Sequence, residues 1–334
     1  MDKTALVGYG YWGKNIFRIL VNILGIENVY LVEKDAQKLN DILKIYPILQ
    51  HSLNHETLAD LPDVKNVVLA TPTPSHYELA KFFLRHDKHV LIEKPSTLVY
   101  QEAVELGKIA LERNLSLLTD YTYLYNPAVR KIKSLIDQGE LGRINYIDCT
   151  RINLGIYQMD TNVLWDLACH DISIVNYLIR EKPAHIRAVG RVNRLLEVED
   201  LAYIFLHYES GLLVQINSSW SSPVKIRQIV IGGDSRMLIF DDLEPANKLK
   251  IYDYLNSSLQ DDPSKKGLAE YRLGNISSPI LSTEEPLNNV LLDFLKSGDD
   301  LKHAHLQYQE TLDIIKYLEK ANESLQNNGI LVSI

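Results

Sequence analysis

Short apolar runs alternate with amphipathic segments over residues 1–120. The runs Thr4–Val7 and Val67–Ala70 are typical of buried strands, because a strand covered on both faces needs no polar side. The predicted elements are strand Thr4–Val7, helix Asn15–Leu24, strand Asn28–Glu33, helix Ala36–Ile45, strand Val67–Ala70, helix Ser75–Arg85, strand His89–Ile92, helix Gln101–Arg113 and strand Leu115–Leu118. This alternation predicts a doubly wound parallel sheet with helices on both faces.

The pattern changes after Tyr125. From His185 to Phe240, β-like runs follow one another directly, and Glu209–Gly211 separates two of them as a hairpin turn. The predicted elements are helix Pro127–Gln138, strand Ile144–Ile152, helix Val163–Ile179, strands Ile186–Val192, Ala202–Tyr208, Leu212–Asn217 and Arg227–Ile231, a long loop Tyr254–Ser278, helices Glu284–Lys296 and Leu306–Leu325, and a final short apolar run. We therefore predict an α/β chain: a parallel-sheet domain in residues 1–122, and in residues 123–334 a C-terminal α+β domain on an open mixed, largely antiparallel sheet. The last residues are candidates to pack back on the first domain.

Composition narrows the class of protein. With 46% hydrophobic and 23% charged residues, the chain has enough apolar side chains for a folded core. Its 35 basic and 43 acidic residues give a net charge of −8, which argues against nucleic acid and favours a small-molecule partner. Only Cys149 and Cys169 are present, and no apolar segment reaches the ~20 residues of a bilayer crossing. We expect a cytoplasmic protein without a signal peptide, a membrane segment or a disulfide framework.

The segment Gly8-Tyr9-Gly10-Tyr11-Trp12-Gly13 fits the pattern G-x-G-x-x-G. Taken alone, such a string also fits an ordinary glycine-rich turn. Here a predicted strand precedes it, a helix follows, and Glu33 ends the next strand, which together indicate a Rossmann domain that binds a dinucleotide. Glu33 favours NAD, since a carboxylate repels the extra phosphate of NADP. Lys34 either softens that preference, which leaves NADP open, or is a solvated loop residue.

Two further loops follow predicted strands of this domain. Thr71 and Pro72 begin the first loop, and His76 lies in the helix after it. Glu93 and Lys94 end the next strand. Both loops lie at the carboxyl edge of the sheet, where doubly wound folds bind ligands. A lysine at this edge suits proton transfer or the orientation of a hydroxyl, although position alone fits a surface Lys–Glu pair equally well.

Asp166 and His170 are four residues apart in the predicted helix Val163–Ile179 and therefore share a face. A carboxylate beside an imidazole fixes its tautomer and raises its basicity, as a general base requires. A purely structural hydrogen bond is the simpler alternative. His170 has no second histidine at metal-ligand spacing, so we predict no metal site.

In combination, these segments resemble the Gfo/Idh/MocA family, which includes glucose–fructose oxidoreductase and inositol dehydrogenase. The motifs that carry the resemblance are Gly8–Gly13, Ala70-Thr71-Pro72 with His76, Glu93-Lys94-Pro95, Tyr125-Asn126-Pro127-Ala128, Asp166 with His170, Glu285-Pro286-Leu287, Phe294 and Leu318–Ala321. The resemblance covers nearly the whole chain. It implies an NAD(P)-dependent oxidoreductase acting on CH–OH groups, assembled as a homodimer or homotetramer.

The resemblance also implies roles for particular residues. Lys94 orients the substrate oxygen, His170 is the acid/base held by Asp166, and hydride passes between a sugar carbon and the nicotinamide. The implied cofactor ligands are Gly8, Gly10, Tyr11, Trp12, Gly13, Glu33, Lys34, Thr71, Pro72, His76, Glu93, Lys94 and Asn126. The candidate substrate ligands are Tyr123, Arg151, Asn153, Tyr157 and His170, and a tyrosine, Tyr123 or Tyr157, is the alternative proton donor.

The substrate is expected to be a nucleotide-linked sugar, with the 3-position favoured, because the opening motif and short C-terminal domain resemble members of bacterial surface-glycan or deoxysugar pathways. Arg151, Asn153 and the Lys265–Lys266 loop are candidates to meet a diphosphate, although exposed charges explain the two lysines more simply. The polar segment Asp160–Leu164 lacks the glycines usual in the family, so substrate identity does not carry over. A dehydrogenase of a free sugar or cyclitol is the alternative. From another class, the alternative is a non-catalytic NAD-binding sensor or scaffold.

Overall fold

The structure is a computed structural model and describes residues 2–155, 161–193, 197–255 and 272–334. The chain forms two compact units, of which the first combines Met1–Asn126 with Glu284–Glu319 and the second combines Pro127–Thr283 with Lys320–Ile334. The domain boundary at residue 122 and the packing of the last residues on the first domain stay predictions. Within the described ranges, no helix has both the length and the apolar character needed to cross a bilayer.

The strands and helices are numbered in chain order. The strands are β1 Lys3–Val7, β2 Val29–Val32, β3 Gln50–Ser52, β4 Val64–Leu69, β5 His89–Glu93, β6 Leu117–Asp120, β7 Ile144–Leu154, β8 His185–Val192, β9 Glu199–His207, β10 Leu213–Ser219, β11 Ser221–Gly233, β12 Arg236–Asp241, β13 Leu249–Leu255, β14 Arg272–Ser277 and β15 Val332–Ser333. The α-helices are α1 Tyr11–Leu24, α2 Ala36–Ile45, α3 His76–Arg85, α4 Tyr100–Glu112, α5 Pro127–Asp137, α6 Cys169–Leu178, α7 Pro286–Ser297 and α8 Leu301–Gln326.

The first unit contains a six-stranded parallel sheet in the order β3-β2-β1-β4-β5-β6. This confirms the predicted doubly wound fold. Successive residues of β1 enter opposite cores, since Leu6 packs with Phe17 of α1, whereas Ala5 packs with Phe83 of α3. The alternation follows from the period of two of a β-strand. Both faces of the sheet are therefore covered.

Helix α7 explains why a distant segment belongs to this unit. Leu287, Leu291 and Phe294 are buried in the same cluster as Leu91 of β5 and Leu118 of β6. They supply apolar cover for a face that the sheet needs buried on both sides.

The second unit contains a nine-stranded sheet in the order β14-β13-β12-β11-β7-β10-β9-β8-β15. Strands β7 and β10 are parallel, and the other neighbouring pairs are antiparallel. Along β9, buried residues alternate with partly exposed ones, which is the pattern of a sheet with one covered face. This confirms the open mixed, largely antiparallel sheet.

The predicted loop Tyr254–Ser278 was wrong at both ends. Strand β13 continues to Leu255, and β14 pairs with it as an antiparallel edge strand. The sequence of β14, Arg-Leu-Gly-Asn-Ile-Ser, has little apolar pattern, and its pairing depends on the backbone. Residues 256–271 between them lie outside the described ranges.

Candidate functional site

The glycine-rich loop connects β1 to α1. Gly8 has a φ of +96°, and its N–H donates to the carbonyl oxygen of Val32 at 2.8 Å. A Cβ on Gly8 would lie 2.6 Å from the carbonyl oxygen of Ala70, and one on Gly13 would lie 2.2 Å from that of Gly8. Packing within the protein therefore requires glycine at both positions.

Gly10 differs from its two neighbours in the motif. A Cβ at this position would meet no protein atom within 4 Å, so nothing inside the protein accounts for the glycine. Gly10 also precedes α1, whose N-terminus has neither a side-chain cap nor an acidic residue in its first turn. Open space beside an uncapped helix N-terminus fits the pyrophosphate of a dinucleotide. Tyr11 and Trp12, which begin the helix, are 79% and 45% exposed.

Glu33 lies directly after β2 and is buried, with its carboxylate fixed by three donors. Oε2 accepts from Tyr9 N–H at 2.9 Å and from Lys38 Nζ at 3.2 Å, and Oε1 accepts from Asp35 N–H at 3.1 Å. Burial raises the pKa of Glu33, but these hydrogen bonds outweigh it and hold the pKa below its ordinary value. The carboxylate therefore stays charged and ties the glycine-rich loop to β2.

The lysine at Glu33 is Lys38, which was not predicted from the sequence. The predicted Lys34 is exposed, whereas Lys38 lies one helical turn into α2 and pairs with the carboxylate. Its position five residues after Glu33, in the first turn of a predicted helix, could have indicated this pairing.

His76 is buried and joins two loops at the carboxyl edge of the sheet. Its Nδ1 lies 2.9 Å from the carbonyl oxygen of Pro95, and its Nε2 lies 2.8 Å from that of Thr71. Both ring nitrogens are thus directed at backbone oxygens of the protein. His76 therefore holds the Thr71–Pro72 loop next to the Lys94–Pro95 segment. The cofactor roles of His76, Thr71 and Pro72 stay predictions.

Glu93 ends β5 and faces Asp120, its register partner at the end of β6. Both carboxyl groups are buried, and each acts on the pKa of the other. Glu93 Oε2 accepts from the N–H of Lys94 at 3.1 Å, and Asp120 Oδ1 accepts from Thr122 Oγ1 at 2.6 Å. The predicted role of Glu93 as a cofactor ligand stays a prediction.

The pKa of Glu93 is raised well above its ordinary value, first by burial and then by the charge of Asp120. Burial also raises the pKa of Asp120. Asp120 was not predicted, because the expected strand stopped at Leu118. Acidic residues at the ends of two neighbouring strands were the signal that could have identified it. Lys94 itself is half-buried at the end of β5.

Tyr123 and Asn126 lie in the turn after β6. The N–H of Asn126 donates to the carbonyl oxygen of Tyr123 at 3.0 Å, and the hydroxyl of Tyr125 donates to Asp293 on α7. These contacts fix the turn in the first unit. The cofactor role of Asn126 and the substrate role of Tyr123 stay predictions.

In the second unit, the predicted helix around Asp166 begins with a π-helical turn, Leu164–Ala168, before α6. From Val163 to Val175, Asp166 and His170 are the only side chains that are partly exposed. Asp166 Oδ2 accepts from Nε1 of the buried Trp220 at 2.9 Å. The carboxyl group of Asp166 and the imidazole of His170 are thus the partly exposed groups of an otherwise buried helical segment. Their direct pairing stays a prediction, since a π-helical turn alters the i,i+4 facing that suggested it.

Arg151 on β7 is buried and forms two hydrogen bonds with Asp171 of α6. The distances are 2.9 Å from Nε to Oδ2 and 2.8 Å from an Nη to Oδ1. Arg151 therefore anchors the helix that carries His170 to the sheet. Its role as a substrate ligand stays a prediction.

Asn153 is half-buried beside Gly155, whose N–H donates to the carbonyl oxygen of Trp220. It stays a substrate candidate. Tyr157, Lys265 and Lys266 lie outside the described residues. Among the residues within those ranges, no three His, Cys, Asp or Glu side chains cluster as metal ligands.

Comparison with known sequences agrees with this geometry. The profile described as "Oxidoreductase family, NAD-binding Rossmann fold" matches residues 3–121, and the "GFO/IDH/MocA C-terminal domain" profile matches residues 129–239. The chain belongs to the GFO/IDH/MocA family. It is therefore an NAD(P)-dependent oxidoreductase, and NAD is the cofactor that its glycine-rich loop fits.

Several curated proteins are similar to this chain. An uncharacterized oxidoreductase of Synechocystis is 33% identical over 43% of this chain and 39% of its own length. UDP-N-acetylglucosamine 3-dehydrogenase of Acidithiobacillus ferrooxidans is 29% identical over 75% of this chain and 76% of its own length. A scyllo-inositol 2-dehydrogenase (NAD(+)) of Bacillus subtilis is 26% identical over 55% of this chain and 57% of its own length.

The solved structure of the Acidithiobacillus enzyme shares the fold of this chain. It superposes with a TM-score of 0.81 at 21% identity, covering 97% of this chain and 98% of that one.

Proposed function

We propose that this protein interconverts a secondary hydroxyl and a ketone on a nucleotide-linked sugar, with the 3-position favoured. The observation that carries the proposal is the similarity to UDP-N-acetylglucosamine 3-dehydrogenase over three quarters of both chains. The motifs Glu93-Lys94-Pro95 and Asp166 with His170 add the titratable groups that such a reaction needs.

The first unit binds the cofactor and supplies an ammonium group. Gly10 and the N-terminus of α1 receive the pyrophosphate, and Glu33 accepts from the ribose hydroxyls with the lone pairs left by Tyr9, Asp35 and Lys38. When bound, NAD supplies the acceptor of the hydride. Lys94 orients the substrate oxygen through its ammonium hydrogens. It thereby fixes which C–H bond is presented for transfer.

The second unit supplies the acid/base. His170 takes the hydroxyl proton during oxidation and returns it during reduction, at a ring nitrogen of its partly exposed imidazole. Asp166, held by Trp220, places a carboxyl group in the same helical segment, and its proposed role is to orient the imidazole.

A spectrophotometric screen tests the substrate class. We expect NADH formation with UDP- or dTDP-linked sugars and little with free sugars or inositols. Turnover of inositol alone would replace the proposal with a cyclitol dehydrogenase, which the similarity to the scyllo-inositol enzyme favours as second candidate. NADH binding without turnover of any compound would contradict both and leave the sensor.

Replacement of Lys94 by Ala tests the assigned role of the ammonium. We expect turnover of the sugar found in the screen to fall by about 10²–10⁴-fold, the usual contribution of positioned acid–base groups. The dissociation constant of NADH should change little, as measured by quenching of intrinsic fluorescence. Loss of NADH binding with unchanged turnover of bound enzyme would contradict the role. Lys108→Ala, which removes an exposed lysine of α4, is the matched control.

A further inference from the structure

The carboxyl edge of the first sheet contains a buried acidic pair next to the proposed catalytic lysine. Glu93 and Asp120 end adjacent parallel strands and are register partners. Their exposed fractions are 8% and 2%. Two full negative charges on buried register partners of adjacent strands would repel each other strongly, as in other paired buried carboxyls.

Hydrogen bonding around the pair is asymmetric. Asp120 Oδ1 accepts from Thr122, and Glu93 Oε2 accepts from the N–H of Lys94. Asp120 Oδ2 is buried and receives no hydrogen bond from a described N–H or hydroxyl donor. A proton on Glu93 would supply the missing donor, and burial and the charge of Asp120, which raise the pKa of Glu93, favour that proton.

The charged group that acts on this pair is Lys94, which interacts electrostatically with both carboxyls. On α3, the titratable side chain that reaches the loop is His76, and its Nδ1 faces the carbonyl oxygen of Pro95, not a carboxyl. The end of β4 adds Leu69 and Ala70, which do not titrate. Any charge on the pair is therefore directed mainly at the lysine.

We propose that Glu93 and Asp120 share one proton and hold a single negative charge beside Lys94, with Asp120 as a positioning residue for that lysine. One negative charge stabilises the ammonium form of Lys94. Two would cost a further buried charge, and none would remove the negative charge that the pair places beside the ammonium. The relevance to catalysis rests on the proposed function of Lys94, whereas the shared proton does not.

Infrared spectroscopy of the cofactor-free protein at neutral pH tests the shared proton. We expect the C=O stretch of a protonated carboxylic acid in the wild type and its loss in Glu93→Gln, because the amide of the introduced glutamine would donate to an ionised Asp120. Persistence of the acid band in this variant would overturn the pair. Glu102→Gln is the matched control, since the pKa of Glu102 is also raised by burial but the residue lies on α4, outside the pair.

Competitive acetylation with acetic anhydride tests the effect on Lys94 without any substrate. The reagent reacts with the neutral amine, so the pH dependence of labelling at Lys94, read by mass spectrometry, follows its titration. Glu93→Gln keeps one negative charge and should titrate as the wild type does. The double variant E93Q/D120N has none, so its curve should move about one pH unit or more to lower pH, a tenfold rise in reactivity at fixed pH.

Coincident labelling curves for E93Q and E93Q/D120N would overturn the positioning role. Far-UV circular dichroism and cooperative thermal unfolding of both variants verify that they fold, and the infrared result on E93Q stands even if the double variant does not. Because neither readout uses a substrate, failure of the sugar assay or of Lys94→Ala would refute the proposed function and leave the pair intact.

Discussion

Glu33 and Glu93 each lie at the end of a parallel strand in the same sheet, yet their surroundings are opposite. At the end of β2, three donors surround a carboxylate and lower its pKa. At the end of β5, a second carboxyl faces Glu93 and its pKa is raised. Burial favours the neutral acid at both sites, so the neighbours decide the outcome. At the end of β2, the donors around Glu33 stabilise its charged form. At the end of β5, burial and the neighbouring carboxyl favour the protonated form of Glu93.

The largest expected effect separates these two glutamates by the pH dependence of stability. The folded pKa of Glu33 is lowered, so its contribution is present above the unfolded pKa and is lost as pH falls through the folded value. The folded pKa of Glu93 is raised. The unfolded chain releases that proton above about pH 4.5 while the folded protein keeps it, and stability therefore falls as pH rises towards the folded value.

Glu33→Gln should therefore lower the free energy of unfolding by about 1.5–3 kcal/mol at pH 7, the usual value for hydrogen bonds to a charged group. The deficit should shrink below pH 4.5, the ordinary value for this carboxyl. Glu93→Gln should become steadily more stable relative to the wild type as pH rises above 4.5. Urea unfolding across this pH range measures both, and slopes of the same sign would contradict the comparison.

The next effect concerns the affinity for the cofactor, which we propose depends on Gly10 and the N-terminus of α1. Gly10→Ala should fold normally, because its Cβ meets nothing within 4 Å, yet bind NAD at least about tenfold more weakly, or ~1.4 kcal/mol. Gly13→Ala, whose Cβ would lie 2.2 Å from a backbone oxygen, should instead lower the melting temperature. Calorimetric titration and thermal unfolding distinguish the two, and a Gly10→Ala variant with wild-type affinity would contradict the assigned cradle.

The smallest effect concerns the ion pair at Glu33. Lys38 is 37% exposed, so its pairing with Glu33 should contribute only about 0.2–1 kcal/mol. Lys38→Met should lower stability by that amount at low salt, and the difference should narrow at high salt. Lys34→Met, the exposed neighbour, should change nothing measurable. Equal effects of the two variants would show that the pair with Glu33 is not specific.

Sequence patterns predicted the parallel sheet well because most of its strands contain an apolar run between turn residues. Strand β3, Gln-His-Ser, was not predicted because it consists of three polar residues, which pair with β2 through the backbone. Strand β14 escaped for the same reason. The hydrophobic pattern of a sequence indicates which side chains are buried, and β3 has no fully buried side chain.

The candidate site was harder to predict in its supporting residues than in its motif residues. Lys94 and Glu33 were proposed as site residues from their positions after strands. The anchoring pair of Arg151 with Asp171 was not predicted, since the two residues are 20 positions apart in the sequence. Such pairings depend on tertiary packing, which spacing along one element does not report.

The distant origin of α7 has a consequence for how the molecule is made. Leu287, Val290 and Phe294 complete a hydrophobic cluster that starts with Leu6. The ribosome must therefore synthesise residues 127–283 of the second unit before the first unit can close its own core. Fragments that end near residue 126 would leave that cluster exposed to water. The N-terminal part of a newly made chain therefore becomes stable only after α7 has been synthesised.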